Sequence, residues 1–461
     1  MKAQHWASSS KGLSCLPACF PSPLSAVQMG SKIKNINSRL EKLRQQRSAE
    51  ISWCWKLTFI SKNAIPLSIK RLKIIYCWEL EFLKDLSVCL LEYLEIYLCD
   101  SLKCISVDGP LPETISQLDI QSCKALVTLS SSRNEYLPKA LTSIFIWGCE
   151  KLKSIGESFN NSPCLEKITL MDCKNVESLP LGLHHLPCLE LIEIKECPKL
   201  MAREGVPTSL RQLLINECED DKGMGMGMLT SLKRLRIEEL PQLKSISDLT
   251  NLTSLERLVI DFLPQLESVP ELNNLNSLKV FTIQGLERIP NFSSLTSLTE
   301  LYIGYCTELE SMSILNGLTS LEWLVIECLP QLESIQNPSN LTSLRHFGIK
   351  ICARLKSIPN LSSLASHGRL DIVDCPRLKS IPDLGNFPDL SIKKCPKLKS
   401  LKTLPSSLQS LDIKDCPLLI KRLKSVTGRY SSKIAQIPKV EIDGKFIYNS
   451  KEYIVDDRSF L

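Results

Sequence analysis

The sequence of 461 residues lacks the patterns that mark several large classes of protein. It contains no apolar segment of 18 residues, which excludes the pattern of a transmembrane helix. Residues 1–30 contain no clean run of seven or more apolar residues, so we expect no secretory signal peptide. No P-loop, kinase signature, G-x-S-x-G elbow or H-E-x-x-H motif occurs, and the five histidines show no metal-ligand spacing. These absences predict a protein that is not an enzyme and that uses no cofactor and no metal.

One sequence motif repeats from Ile69 to Leu419. Apolar residues fall at offsets 0, 3, 5, 8, 11 and 14 from its first residue, and offset 8 is often cysteine, as in residues 165–180 and 344–359. Sixteen copies fit this template at spacings of 20 to 26 residues, and their first residues are Ile69, Leu91, Ile115, Leu141, Leu165, Leu189, Leu210, Leu232, Leu255, Leu278, Leu298, Leu321, Leu344, His367, Phe387 and Leu408. A fixed period of this length with an L-x-x-L-x-L core is the signature of leucine-rich repeats.

The repeat predicts an α/β solenoid. Offsets 3 and 5, such as Leu258 and Ile260, have strand periodicity, so both side chains point to one face. One strand of about five residues cannot bury that face alone, but it can when it stacks on the next repeat about 4.8 Å away. We therefore expect a leucine-rich-repeat horseshoe of about 16 repeats, with a parallel β-sheet on its concave face and an irregular or 3-10 convex side.

The 20 cysteines become orderly when they are placed in this register. Twelve stand at offset 8: Cys77, Cys99, Cys123, Cys149, Cys173, Cys197, Cys218, Cys306, Cys352, Cys375, Cys395 and Cys416. A metal or disulfide framework predicts clustered C-x-x-C spacings, and none occurs, so the pattern favours small buried side chains at the turn after each strand. Neighbouring cysteines at this spacing persist as thiols in a reducing compartment. We therefore predict a cytoplasmic location.

The repeats divide the chain into five predicted segments. These are an unstructured extension at 1–30, a short coiled-coil-like helix at 31–50, a linker at 51–68, the solenoid at 69–421 and a C-terminal cap and tail at 422–461. The solenoid is interrupted near 219–228, where a glycine–methionine run is followed by no Gly-Lys-Ser/Thr, so a flexible insertion is favoured over a phosphate-binding loop. The repeat at Leu278 is shortened, with three residues missing where the offset-8 turn belongs.

The charge distribution gives no indication of a nucleic-acid-binding protein. The formal net charge is +6, and residues 1–60 alone contribute +7, from nine Lys/Arg minus two Asp/Glu. The remaining residues therefore sum to −1, which makes the repeats nearly neutral. The basic excess belongs to the N-terminal extension.

Binding residues are expected at offsets 2, 4 and 6, because these side chains point away from the core and onto the concave face. Most residues at these offsets are polar, so the apolar ones are candidate anchors for a protein partner, and arginines beside them can pair with an acidic patch. The candidates are Phe145, Trp147, Leu214, Arg234, Arg236, Arg257, Val259, Tyr302, Trp323 and Val325. The alternative is that these are scattered exposed apolar residues of the ordinary kind.

Many repeats take the form L-x-x-L-x-I-x-x-C-P-x-L-x-S-I-P, as in residues 370–382 and 408–419. This form resembles the repeats of plant intracellular immune receptors of the coiled-coil, NB-ARC, leucine-rich-repeat class, and it differs from the N-x-L-x-G-x-I-P form of plant cell-surface receptors. Residues 433–445 resemble the ending common in that class, and residues 32–43 resemble the closing helix of its coiled-coil domain. The resemblance covers about 390 of the 461 residues.

The resemblance implies a non-enzymatic disease-resistance protein whose repeats recognise a pathogen effector, a guarded host protein or an NB-ARC module. Receptors of that class bind ADP or ATP in the NB-ARC module, but this sequence has no P-loop, so nucleotide binding is not implied for it. The alternatives are a substrate adaptor of a ubiquitin ligase, a secreted or surface receptor ectodomain, and a degenerate receptor fragment. The identity of the partner and the oligomeric state stay open.

Overall fold

The computed structural model forms two compact units, Met1–Leu232 and Lys233–Leu461. The boundary falls just after the predicted interruption at 219–228. The structure describes residues 48–447 except 131–136, 201–204, 219–228, 247–248, 268, 336–339, 363, 365–367, 424–433 and 435. The extension at 1–30, most of the predicted helix, the interruption itself and the end of the tail therefore lie outside the described residues.

The first unit contains twelve described strands. They are β1 (Ser48–Ser52), β2 (Phe59–Ser61), β3 (Arg71–Ile75), β4 (Phe82–Lys84), β5 (Tyr93–Tyr97), β6 (Cys104–Val107), β7 (Gln117–Gln121), β8 (Thr128–Ser130), β9 (Ser143–Trp147), β10 (Lys167–Met171), β11 (Leu191–Cys197) and β12 (Gln212–Cys218). Strands β1, β3, β5, β7, β9, β10, β11 and β12 pair in that order as one parallel ladder.

The second unit contains thirteen described strands and one α-helix. They are β13 (Arg234–Glu238), β14 (Arg257–Asp261), β15 (Val280–Gln284), β16 (Glu300–Gly304), β17 (Trp323–Glu327), β18 (His346–Lys350), β19 (Arg369–Val373), β20 (Ser380–Ile381), β21 (Asp389–Lys393), β22 (Ser400–Leu401), β23 (Ser410–Lys414), helix α1 (Pro417–Leu423), β24 (Lys439–Ile442) and β25 (Lys445–Ile447). Strands β13 to β19, then β21, β23 and β24, pair in chain order as a second parallel ladder.

The predicted repeat register is confirmed. A ladder strand begins two residues after each of the sixteen predicted first residues. The side chains at offsets 3 and 5 are buried in every repeat; Leu258 and Ile260, for example, are fully buried. Adjacent strands pair without slippage, as Leu258 with Phe281 and Ile260 with Ile283, so side chains at one offset form a continuous column. Burial of this apolar face is what holds the repeats together.

The ladder begins earlier than the sequence predicted. Strand β1 pairs in parallel with β3, Ser48 opposite Arg71 and Ser52 opposite Ile75, so residues 48–50 are not helical and residues 51–68 are not a linker. Ala49, Ile51 and Ile60 are buried in the positions that offsets 3, 5 and 14 occupy elsewhere. The physical reason is that β3 would otherwise leave the apolar side of its repeat open to solvent, and the additional repeat that begins with β1 covers it.

The limb opposite the ladder is more regular than predicted in the first unit. Strands β2, β4, β6 and β8 pair in parallel as a second, four-stranded sheet, and the second unit has the short pair β20 and β22. Short 3-10 turns occur at Lys62–Ala64, Leu183–His185 and Ser313–Leu315. The irregular and 3-10 limb that we predicted is therefore correct for much of the chain but wrong for residues 59–130.

The cysteine prediction is confirmed for burial. All twelve offset-8 cysteines are buried, and every cysteine among the described residues is a free thiol. The thiol of Cys306 donates to the carbonyl of Gly304, 3.2 Å away, and most of the others repeat this bond to the carbonyl two residues back. The residue before each of these cysteines has positive φ, as at Asp172 (φ 50°), and this left-handed residue ends the strand and turns the cysteine inward.

The shortened repeat has kept its turn. Gly285 has φ 68° and Leu286 is buried at offset 8, so the three missing residues come after the turn and not from it as the sequence suggested. Phe281 and Phe292 fill the resulting space, with ring centroids 5.4 Å apart and ring planes at 86°. Both rings are fully buried, so this edge-to-face pair packs the interior of the shortened repeat.

The C-terminal end of the second unit closes the ladder. Strand β24 adds one more parallel rung to β23, and β25 turns back antiparallel to β24 through Asp443 and Gly444. Both turn residues have positive φ, 50° and 77°, as a two-residue hairpin requires. Among the residues that the structure describes, no helix is both long enough and apolar enough to cross a membrane.

Candidate protein-interaction surface

We call the outward side of each parallel ladder, formed by offsets 2, 4 and 6, the ladder face. In the second unit it carries a column at offset 2 that runs Glu300, Trp323, His346, Arg369 and Asp389 from β16 to β21. The in-register pairing brings these five residues together, although they are up to 89 positions apart in the sequence. The column thereby places aromatic, basic and acidic groups side by side.

Trp323 and His346 form the centre of this column. Their rings stack with centroids 3.7 Å apart and an interplanar angle of 18°, and 49% of Trp323 remains exposed. A large aromatic side chain with a fixed orientation is the kind of residue that dominates binding energy in protein interfaces.

The ring of His346 is held neutral by burial. Burial lowers the pKa of His346, while Asp371, whose Oδ2 lies 3.8 Å from Nε2, acts in the opposite direction. Burial is the largest effect, and the positive charges of Arg369 and Lys350 also lower the pKa of His346. Arg369 Nε in turn donates to the two carboxylate oxygens of Asp371 at 2.8 and 2.9 Å. A neutral imidazole completes the apolar stack beside Trp323.

An open groove of about 760 Å³ follows this column at the amino-terminal ends of the strands. It is lined by Glu322, Trp323, Arg345, His346, Arg369 and Asp371, together with Thr299, Glu300, Gly368 and Asp389. Its charged walls are partly paired, since Arg345 Nε lies 3.5 Å from Glu322 Oε2. The groove therefore offers an aromatic centre with a mixed charged rim, which is the anatomy of a protein-binding patch.

Tyr302 and Val325 lie on the same face at offset 4. The hydroxyl of Tyr302 donates to Glu327 Oε2 at 2.8 Å, and burial together with this carboxylate raises the pKa of Tyr302. Val325 is only 4% exposed, so the sequence was wrong to place it among the exposed anchors. It is covered because its methyl groups fill the space left by Gly348, its neighbour across the ladder.

The three arginines predicted as partner contacts differ in availability. Arg236 is bonded within its own strand, with Nε 2.6 Å from Glu238 Oε1. Arg234 and Arg257 are exposed, and neither forms an ion pair with a residue that the structure describes. Val259 is half-buried and pairs across the ladder with Arg236, while Arg234 pairs with Arg257. Arg234 and Arg257 are therefore the two arginines free to meet an acidic partner.

The predicted residues of the first unit do not form one cluster. Phe145 and Trp147 lie on β9, where Phe145 is half-buried and Trp147 is 41% exposed. Leu214 lies on β12, three strands further along that ladder, and is half-buried. They remain separate candidates on the ladder face of that unit.

The sequence reasoning missed His346, Arg369 and Asp371, which surround Trp323. They were missed because each repeat was scanned for its own apolar residues. Aligning offset 2 across successive repeats would have placed Trp323 beside His346, since neighbouring strands pair in register.

One carboxylate on the ladder face, that of Asp261 at the end of β14, is destabilising at neutral pH. Burial and the nearby Glu238 and Glu239 raise the pKa of Asp261 to about 6, and its Oδ1 has no hydrogen-bond partner within the described part of the chain. Asp261 binds its proton more tightly in the folded protein than in the unfolded chain. Folding is therefore favoured when Asp261 is protonated, and this stabilisation is lost as pH rises through about 6. We expect Asp261→Asn to stabilise the second unit by about 1 kcal/mol at pH 7, after allowing for solvent screening, and to have little effect at pH 4.

Thermal unfolding of both proteins at pH 4 and pH 7 checks this expectation. Asp389→Asn is the control, because it makes the same chemical change at another carboxylate on the ladder face of the same unit. An equal gain at both pH values would show that ionisation of Asp261 is not the cause.

Three features define the architecture: parallel ladders, two columns of buried side chains, and a left-handed residue before each offset-8 position. The fold is a leucine-rich-repeat solenoid. No protein-family model matches the sequence, and no curated protein matches it. Among the described residues, no group of three or more His, Cys, Asp or Glu side chains is placed to hold a metal ion.

Solved leucine-rich-repeat structures resemble the chain at low identity. A leucine-rich-repeat protein of Leptospira interrogans is 19% identical over 88% of this chain and 98% of its own, with a TM-score of 0.47. YopM, a leucine-rich effector protein from Yersinia pestis, is 19% identical over 82% of this chain and 92% of its own, also at 0.47. The functional domain of InlJ from Listeria monocytogenes, which includes a cysteine ladder, is 16% identical over 67% of each chain at 0.38.

Proposed function

We propose that this chain is a non-enzymatic recognition protein of plant defence that binds a protein partner through the ladder face of its second unit. The observation that carries the proposal is the half-exposed Trp323, stacked on a neutral His346 at the side of an open groove. An aromatic anchor with a fixed orientation loses little conformational entropy when a partner covers it.

The groove fits a protein better than a small molecule. It is an open trough along the strand ends, whereas small-molecule sites enclose most of the ligand surface. Its rim carries both signs of charge, with Arg345 and Arg369 close to Glu322 and Asp371. Such a rim selects a partner with a complementary pattern, in addition to the contact with Trp323.

The class of partner follows from the resemblance of the repeats and of residues 433–445 to plant intracellular immune receptors. The partner is then a pathogen effector, a guarded host protein or an NB-ARC module, and the chain acts in the cytoplasm. The twelve buried offset-8 thiols are compatible with a reducing compartment. The chain acts by binding alone and catalyses no reaction, and binding changes the behaviour of the partner.

Alanine substitution at the anchor tests the proposal. We expect Trp323→Ala combined with Tyr302→Ala to weaken partner binding by about 2–4 kcal/mol, or roughly 30- to 1,000-fold in Kd, without unfolding the ladder. Candidate effectors, host proteins and an NB-ARC module are co-expressed in turn, and Kd is measured by calorimetry for each that binds. Trp78→Ala is the control, because Trp78 is 47% exposed but lies off the ladder face.

A partner that binds both variants equally well would contradict the placement of the site. A partner that binds through a ubiquitin-ligase scaffold, with the chain recruiting a substrate, would contradict the defence function and favour the adaptor alternative.

A further inference from the structure

Some adjacent repeats carry residues of opposite charge at the same offset, and these residues form ion pairs. Lys103 pairs with Glu81 at 2.9 Å and Lys356 with Glu333 at 2.6 Å, both between residues at offset 12 of adjacent repeats. The backbones are joined at the same points, since Lys103 N donates to Glu81 O and Lys356 N to Glu333 O. Opposite charges on neighbouring rungs stabilise a ladder, and like charges destabilise it.

The last repeats differ, because they carry like charges at the same offset. At offset 10 the chain has Arg354, Arg377 and Lys397 on successive rungs, and at offset 12 it has Lys356, Lys379 and Lys399. All six are exposed. Lys399 N donates to Lys379 O at 2.9 Å, so the backbones of these two lysines lie on adjacent rungs about 4.8 Å apart. We call these six residues the basic strip.

The basic strip has little neutralisation within the chain. Lys356 is paired with Glu333 at its edge, but Arg377, Lys379, Lys397 and Lys399 form no ion pair with any residue that the structure describes. Residues 344–423 carry 15 Lys/Arg and six Asp, a formal charge of +9 (15 minus 6), against +6 for the whole chain. Self-repulsion of this kind is relieved when the cations meet an external polyanion.

Helix α1 extends the basic strip and adds an apolar group. Leu418 stands at offset 10 of the next repeat, in the column of Arg377 and Lys397, and is 40% exposed. Lys421 and Arg422 follow it by three and four residues, so all three lie on one face of the helix. An exposed leucine between cations is the arrangement by which amphipathic segments bind at a membrane interface.

We propose that the basic strip, with Leu418, Lys421 and Arg422, docks the second unit on an anionic phospholipid surface. The lysines and arginines pair with lipid phosphates and carboxylates, and Leu418 inserts at the headgroup boundary. Nucleic acid fits less well, because Leu418 has no role against a phosphate backbone and the basic strip has no aromatic side chain for base stacking. The proposal is independent of the partner site on the ladder face.

Vesicle co-sedimentation of the full chain tests this inference. Vesicles of phosphatidylcholine with about 30% phosphatidylserine should bind the chain at about 0.1 M salt, and pure phosphatidylcholine should not. Each cation contributes roughly 1 kcal/mol at such a surface, about fivefold, so R377Q/K379Q/K397Q/K399Q should lose several-hundred-fold in partitioning. Leu418→Ser should lose about tenfold while retaining the salt dependence.

The matched control is K103Q/K124Q/K174Q/K199Q, which removes the same charge from exposed lysines of the first unit that already have partners there. It should bind vesicles like the unaltered chain. Equal loss in this control, or unchanged binding of the strip variant, would overturn the docking site. Tighter retention on duplex DNA or polyglutamate than on anionic vesicles, with Leu418→Ser unaffected, would replace the membrane with that polyanion. Circular dichroism confirms folding, which removal of like charges should favour.

Discussion

Replacing Phe281 by alanine is expected to destabilise the second unit by about 3–5 kcal/mol, because a fully buried aromatic ring is lost and a cavity remains. The effect should lie at the upper end of this range. Phe281 packs edge-to-face on the fully buried Phe292, with ring centroids 5.4 Å apart, so its removal also ends this aromatic contact. Urea unfolding followed by circular dichroism measures the loss.

Phe262→Ala is the control for this substitution. Phe262 belongs to the adjacent repeat but is 43% exposed, so its removal should change stability by less than about 1 kcal/mol. Hydrogen exchange adds a local readout, since each repeat contacts mainly its neighbours and lost protection should centre on β14 to β16. Equal destabilisation by both substitutions would show that the ring pair does not fill the shortened repeat as described.

Replacing Gly368 by alanine is expected to cost about 3 kcal/mol or more, because the added methyl group has no space. A Cβ atom at this position would lie 1.6 Å from the carbonyl oxygen of Arg345, which is a backbone atom that cannot swing aside. The same carbonyl accepts the amide of Arg369 at 2.7 Å, so any shift also breaks the bond that starts β19.

Gly205→Ala separates this clash from the general effect of replacing glycine. Nothing lies within 4 Å of a Cβ built at Gly205, so its substitution should leave the melting temperature within a few degrees of the original. If Gly368→Ala melts like Gly205→Ala, the close approach of the two backbones at Arg345 is not a constraint on the fold.

The repeat period alone predicted most of the architecture, because the apolar pattern is periodic and each strand can bury its face only on the next. It failed at β1, where Gln46 replaces the apolar residue at offset 0, although Ala49, Ile51 and Cys54 fit the later offsets. Burial of the strand depends on the side chains that contact the next rung, so a polar residue at offset 0 does not prevent the strand from joining the ladder. The strands opposite the ladder at residues 59–130 have three or four residues each and leave no comparable period.

The candidate site was predicted less completely, because it depends on neighbours across the ladder. Trp323 was found as an unusual residue within its own repeat, but its stack on His346 belongs to two repeats together. The burial of Val325 follows from the missing side chain at Gly348 on the next strand, which no reading of one repeat reveals. Exposure on a ladder is a property of a residue and its two lateral neighbours.

The unbroken register between strands also determines what kind of genetic change this architecture tolerates. A residue's face depends on its offset within the repeat and not on its absolute position, so gain or loss of one complete repeat leaves every downstream side chain pointing as before. Only its lateral neighbours at the junction change: a repeat inserted between β17 and β18 would separate Trp323 from His346 and leave both outward-facing. Duplication or deletion of whole repeats thus recombines binding surfaces while the buried columns stay intact.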